Sequence, residues 1–194
     1  MVEILVLYYS RHGSTARLAQ AIAAGVEAVG CSARIRTVPP IREYQSSDIT
    51  EVPDDGPPFV SKQDLKECAG MALGSPTRFG NMAAPLKHFI DSTSDIWLKG
   101  ELIDKPFCVF TSTSSLHGGQ ESTLLTMAIP LLHQGMVYCG LPYSEPALHD
   151  TQTGGTPYGA THVENSQGLS THEKQLAAAQ GKRLARIATQ LLRT

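Results

Sequence analysis

Five strand candidates recur along this chain, Ile4 to Tyr9, Ala33 to Val38, Met71 to Ser75, Phe107 to Thr111 and Met136 to Leu141, most of them short, continuous apolar runs. Most are apolar at nearly every position instead of every second one. That is the pattern of a strand covered on both faces, as parallel strands are. Segments with helical spacing stand between them: Ala16 to Val29, Asn81 to Ser92 and Glu121 to Gln134, with a last one from about Thr171 to Arg193. Ser170 and Glu173 have capping-box spacing at the start of the last helix, and Leu176, Leu184, Ile187 and Leu191 mark its buried stripe. Alternating strand and helix predicts an α/β fold: a doubly wound, five-stranded parallel sheet with right-handed crossovers and helices on both faces.

A length of 194 residues suits one such domain spanning 1–194. Three stretches exceed the minimal unit and read as long loops, at about 39–64, 93–106 and 143–170. Loops this long are usually functional, oligomer-forming or disordered. A formal net charge of −2 gives no electrostatic case for nucleic acid or an anionic membrane, so neither is expected as a partner. No apolar stretch approaches the ~18 residues that span a bilayer. The first strand begins at once, with no basic or cleavable leader before it, and the expected location is the cytoplasm. Cys31, Cys68, Cys108 and Cys139 sit in or beside apolar segments without CxxC spacing, and read as buried reduced thiols. The seven histidines show no ligand spacing, so no metal is expected.

Open parallel sheets bind ligands at the carboxyl ends of their strands. Three loops belong there: SRHGST (10–15), PTRFGN (76–81) and STSSLHGGQ (112–120). The first opens a helix, whose leading N–H groups lack intrahelical partners and favour an anion. Ser10, Ser14 and Thr15 add hydroxyl donors, and Gly13 permits a tight bend. A phosphate monoester held by neutral donors fits this loop, and so does a plain turn with a serine cap. The Walker pattern and the dinucleotide G-x-G-x-x-G pattern are missing from the sequence, as is the hydrolase G-x-S-x-G elbow. The other two loops carry Phe79, Arg78 and His117, with no carboxylate before Glu121. They suit a flat heterocycle read by backbone groups, although Phe79 could equally cap the next helix. Phosphate plus planar ring describes flavin mononucleotide (FMN).

The strings VLYYSRHGST, GSPTRFGNMAAPLKHFID, HGGQE, LLHQGMV and GGTPYGATH resemble the WrbA family of flavodoxin-like NAD(P)H:quinone oxidoreductases over nearly the whole chain. The resemblance implies a flavodoxin-like sheet of order 2-1-3-4-5 and FMN as cofactor, with NADH or NADPH as co-substrate. It also implies ping-pong, two-electron reduction of quinones by hydride transfer through flavin N5, and a homotetramer. By position it implies that Ser10, Arg11, His12, Gly13, Ser14 and Thr15 hold the phosphate. Pro76, Thr77, Arg78, Phe79 and Gly80 would line the ring. Ser112, Thr113, Ser114, Ser115, Leu116, His117 and Gly118 would hold its polar edge and the ribityl chain. His133 matches a family histidine at the flavin, with a proton or hydrogen-bond role. Trp97 matches a tryptophan facing the quinone, and His12 replaces an aromatic near the nicotinamide. Two bland alternatives remain, a helix-end histidine at 133 and a subunit-contact plug at Trp97. The competing function is a one-electron carrier flavodoxin. It benefits from negative charge near the flavin, where these loops offer Arg78, His12 and His117.

Overall fold

The computed structural model describes residues 1–41, 53, 55–164 and 167–192. Strands β1 (Glu3–Tyr8), β2 (Ser32–Thr37), β3 (Gly70–Pro76), β4 (Pro106–Thr113) and β5 (Val137–Tyr138) form a parallel sheet of order β2-β1-β3-β4-β5. This is the expected flavodoxin-like order. Leu5 pairs with Met71 and Leu73 with Val109, so the central strands stand in register.

Side chains on a strand alternate between faces, and here each face owns a core. Leu5, Leu7, Met71, Leu73, Phe107 and Val109 pack against α3 (Ala84–Asp91) and α5 (Gln120–His133). Ile4, Val6, Tyr8, Ala72, Cys108 and Phe110 pack against α1 (Ser14–Glu27) and α7 (Thr171–Leu191). The two helices on this second face cross at backbone contact. A Cβ on Gly181 would overlap the Ile22 carbonyl, and one on Gly25 would overlap that of Ala178. α1 is thereby held against both the sheet and its neighbour α7, which fixes where its N-terminus points. All four cysteines are buried and free.

The three long stretches each hold regular structure. Within 39–64, residues 42–52 and 54 lie outside the described part; Phe59 bridges Thr37, and α2 (Lys62–Glu67) starts at the end of the stretch. The second stretch contains α4 (Ser94–Leu98). The third contains α6 (Ala147–Asp150) and a sixth strand, β6 (Gly159–Val163). The fifth place in the sheet is therefore shared. The expected strand Met136 to Leu141 pairs only through Val137 and Tyr138, opposite Pro106 and Phe107. The chain leaves at Gly140, whose backbone approaches Pro157 too closely for a side chain, and β6 returns to pair with Val109 to Thr113.

The buried polar side chains of α7 hold this returning strand. Gln180 donates from Nε2 to the Val109 carbonyl (3.0 Å) and accepts from Ala160 N–H (2.7 Å). Glu173, fully buried, accepts from the N–H groups of Ser170 (2.7 Å), Gly154 (2.9 Å) and Val163 (3.1 Å), and lies 2.9 Å from His162 Nδ1. Its bond with the Ser170 N–H, together with the bond from its own N–H to Ser170 Oγ, makes the expected capping box. Burial alone would raise its pKa, but the bonds from His162, Ser170, Val163 and Gly154 outweigh burial and hold it down at about 2, below the ordinary 4.5.

A depressed carboxylate contributes stability that is present above the ordinary value and lost as pH falls through the folded one. Denaturation midpoints of the wild type should therefore fall between about pH 4.5 and pH 2. Glu173→Ala should cost about 3–5 kcal/mol at neutral pH, because it strands the partners of a buried charge. That variant should also show a shallower acid loss. Urea titrations of both proteins at several pH values measure this.

Candidate active site

The first loop leaves β1 tied to the sheet, with Tyr9 N–H donating to the Gly74 carbonyl (3.0 Å). It then turns through Ser10–Gly13, where Gly13 N–H donates to Ser10 Oγ (3.1 Å). Gly13 has φ 88°, a left-handed conformation that favours glycine. Helix α1 follows with no side-chain cap and no acidic residue in its first turn. Its first intrahelical bond runs from Arg17 N–H to the Gly13 carbonyl (2.9 Å), so the amides of Ser14, Thr15 and Ala16 point outward. In contrast, α2 and α7 both close their first turns with capping boxes, Ser61–Asp64 and Ser170–Glu173. The bare start of α1 offers unpartnered amides of the kind that favour an anion, with the hydroxyls of Ser10, Ser14 and Thr15 beside it.

The second and third loops meet this one. Thr15 Oγ1 and Ser112 Oγ are 2.9 Å apart, Thr77 N–H donates to the Ser112 carbonyl (2.9 Å), and Thr77 Oγ1 lies 2.7 Å from Thr123 Oγ1 on α5. Arg78 and Asn81 exchange backbone bonds of 2.7 and 3.1 Å around Phe79 and Gly80, both at positive φ (52° and 78°). Two positive φ values in the middle of a tight turn are the type I′ requirement, ordinarily met by Asn and Gly. Phe79 meets it with a wholly exposed aromatic side chain. Gly119, also left-handed at φ 96°, starts α5 so close to Gly80 that a Cβ would come within 3.2 Å of its Cα.

These loops enclose two adjoining clefts that share Arg11 and Arg78. One, of about 290 Å³, is lined by Ser10, His12, Ser14, Thr15, Pro76, Thr77, Ser112, Thr113, Ser114 and Glu164 as well. The other, of about 460 Å³, runs over Tyr9, Asn81, Met82, Ala83, Ala84, Pro85 and Lys87. Ser115, Leu116, His117 and Gly118 form the exposed outer part of the third loop, where Gly118 N–H donates to the Ser115 carbonyl (3.1 Å). The donor set fits FMN: neutral amides and hydroxyls for a phosphate, small residues and backbone for a ring.

Trp97 and His133 lie elsewhere in the chain. They stack on each other, ring centroids 5.7 Å apart and planes at 28°, over a separate cleft lined also by Ile90, Thr93, Ile129 and Gln134. The 14-residue helix α5 starts at the loop edge and ends at His133, about 21 Å away at 1.5 Å per residue. Arg17 and Glu164 lie outside the three loops expected to hold the ligand, and Asn81 and Gly119 lie within them without an expected role. Arg17 stands three residues after Ser14, on the same helix face, a spacing visible in the sequence; Glu164 reaches the cleft only through the unexpected β6.

Phe79 holds strained backbone without burying its ring. Phe79→Gly should relieve that strain, about 1–2 kcal/mol, while adding unfolded-state entropy of similar size. Stability should thus be unchanged or raised by up to about 1 kcal/mol, whereas FMN should bind roughly 10-fold more weakly. Thermal melts without FMN and fluorescence-quenching titrations with it separate the two effects.

Residues 2–144 match the family described as NADPH-dependent FMN reductase. The NAD(P)H dehydrogenase (quinone) of Gluconacetobacter diazotrophicus is 41% identical over 98% of this chain and 99% of its own. That of Geotalea daltonii is 42% identical over 98% of each. Among solved structures, a flavodoxin, WrbA-like protein from Agrobacterium tumefaciens superposes with a TM-score of 0.72 at 22% identity, over 98% of this chain and 99% of its own. A flavodoxin from the domain Archaea does so with 0.65 at 18%, over 97% and 99%. Those two share the fold. The chain belongs to the NADPH-dependent FMN reductase family, in the flavodoxin-like branch of NAD(P)H dehydrogenases (quinone) to which its WrbA-type motifs point.

Proposed function

We propose that the chain binds FMN along this loop edge and catalyses NAD(P)H + H⁺ + quinone → NAD(P)⁺ + hydroquinone. The observation that carries this is the bare first turn of α1, three outward amides ringed by hydroxyls and opening into a cleft. FMN supplies the hydride chemistry when bound, so the chain needs no nucleophile or acid–base dyad of its own. Ser10 to Thr15 would hold the phosphate. Pro76 to Gly80 would face the ring, and Ser112 to Gly118 its polar edge and the ribityl chain. Nicotinamide and quinone would use the same open face in turn, which is the ping-pong order. Arg11 and Arg78 on its rim favour an anionic dinucleotide. The four buried thiols accord with a reducing cytoplasm.

The flavodoxin likeness supplies a second reading, a one-electron carrier. The cations on the rim disfavour it, since a low-potential carrier gains from negative charge beside its flavin. Anaerobic titration decides between them. One equivalent of NADH or NADPH should bleach the flavin band completely, and a quinone should restore it. Failure of both nicotinamides to reduce the flavin, or a lasting one-electron signal, would point to the carrier.

A homotetramer is proposed on two grounds. Leu125, Ile129 and Leu132 leave an apolar stripe exposed on α5, beside Trp97 and Leu98 of α4, and such contiguous patches mark interaction surfaces. In addition, His133 ends α5 far from its own chain's loops and Trp97 of α4 stacks on it, so the two would line a cofactor site of a neighbouring copy. Trp97→Ala should then lower kcat/KM for quinones roughly 10-fold, about 1.4 kcal/mol of lost stacking. FMN affinity and light-scattering mass should hold. Dissociation with normal turnover per site would instead make Trp97 an interface plug.

A further inference from the structure

Arg17 lies over the first loop without having been drawn into the site by its motif. Its Nη2 donates to Ser14 Oγ (3.3 Å) and to Glu164 Oε1 (3.1 Å), and its Nη1 stands 3.5 Å from where a Cβ on Gly13 would be. Its Nε is buried with no hydrogen-bond partner. The guanidinium thus rests on the two residues that begin the anion site. Glu164, which engages it, lines the same cleft as Ser10, Ser14 and Thr15, and its own N–H is fixed to the Thr113 carbonyl (2.8 Å).

A carboxylate at the wall of a phosphate site opposes the ligand unless something takes up its charge. Glu164 has a second group in reach. His162 is fully buried, engaged through Nδ1 with Glu173, and its Nε2 has no hydrogen-bond partner and stands 3.9 Å from Glu164 Oε2. The two polar atoms without partners, Arg17 Nε and His162 Nε2, therefore belong to the two side chains in reach of one carboxylate. An arginine fork is well matched to a phosphate, which it can engage through paired N–H groups.

We propose that Arg17 is a further cofactor-binding residue, held in place by Glu164 and transferred to the FMN phosphate when that group enters the first loop. The released Glu164 carboxylate turns to the solvent that already reaches it. The pair then acts as a selectivity device: Glu164 opposes an anion, and only a phosphate able to capture Arg17 overcomes it. This inference rests on the FMN reading.

The test compares FMN with riboflavin, which lacks the phosphate, by fluorescence quenching of the full-length apoprotein. Arg17→Gln should weaken FMN roughly 10- to 100-fold, the range for a lost charge-assisted bond, and leave riboflavin unchanged. Arg17→Lys, keeping the charge without the fork, should fall between. Glu164→Gln should tighten FMN several-fold and leave riboflavin unchanged. If the wild type prefers FMN but Arg17→Gln keeps that preference, the proposal is overturned. It is equally overturned if both Arg17 variants weaken the two flavins alike, since Arg17 is then a strap between α1 and β6. A wild type that does not distinguish FMN from riboflavin would sink the FMN reading itself.

Discussion

A parallel sheet sends every strand out at the same edge, so every helix must carry the chain back to the other. The loops after β1, β3 and β4 consequently converge whatever their sequences, and the start of β6 beside Val109 brings Glu164 to the same edge. The same rule drives His133 away. α5 leaves the loop edge at Gln120 and delivers its last residue to the opposite one, next to Trp97. What gathers the phosphate and ring loops within one chain therefore separates them from the two aromatic residues. If both sets serve one site, as proposed, a second copy would have to join them, and the exposed stripe on α5 is apolar enough to supply the contact.

The edge of the sheet beyond β4 departs most from the simple pattern. Splitting the fifth place between β5 and β6 interrupts a ladder, and an interrupted ladder leaves backbone groups to satisfy. α7 answers with two buried polar side chains. Gln180 serves Val109 and Ala160, while Glu173 serves Gly154, Val163 and the start of its own helix. One helix thus fills three roles: its glycine lets α1 approach, its cap residue anchors β6, and its glutamine links β6 to β4. Through β6 it also sets the position of Glu164 at the phosphate cleft. The bond from Thr161 Oγ1 to Gln120 Oε1 ties that same strand to the first turn of α5, so the third loop shares the support.

Strands buried on both faces were legible because continuous apolar runs leave few other assignments. β1, β2 and β3 begin and end within a residue of the expected limits, and β4 extends two residues further, through Ser112 and Thr113. β6 was not legible. GATHV reads as part of a Gly/Thr-rich loop, since its interior polar groups are satisfied by residues of α7 and α5 far along the sequence. Hydrophobic periodicity carries no record of such partners. The three site loops were legible for the opposite reason: short polar turns at strand ends need no distant information. Arg17 sits on the margin. Its spacing from Ser14 is local, but the reason to notice it is Glu164, which a strand missing from the sequence reading brings near.

Several places where this chain breaks local rules gather at one edge, although Asp104 (φ 64°) and the unpartnered Gln134 Oε1 stand at the other. The uncapped turn of α1, the phenylalanine at φ 52°, the unpartnered Arg17 Nε and the unpartnered His162 Nε2 all lie at or beside the loop edge. By contrast, α2 and α7 are capped in full, and the sheet faces are closed by apolar side chains. Natural sequences depart from local consistency chiefly where function requires it. An acidic cap on α1 would satisfy the amides and exclude a phosphate; glycine at 79 would relax the turn and remove an aromatic surface. On the proposed reading the ligand partners the α1 amides and Arg17, and its binding to the folded chain alone would stabilise that fold by about 2.7 kcal/mol at a hundred times its Kd. A chain built this way would be most stable with that ligand bound, the cofactor completing the loop edge as well as supplying its chemistry.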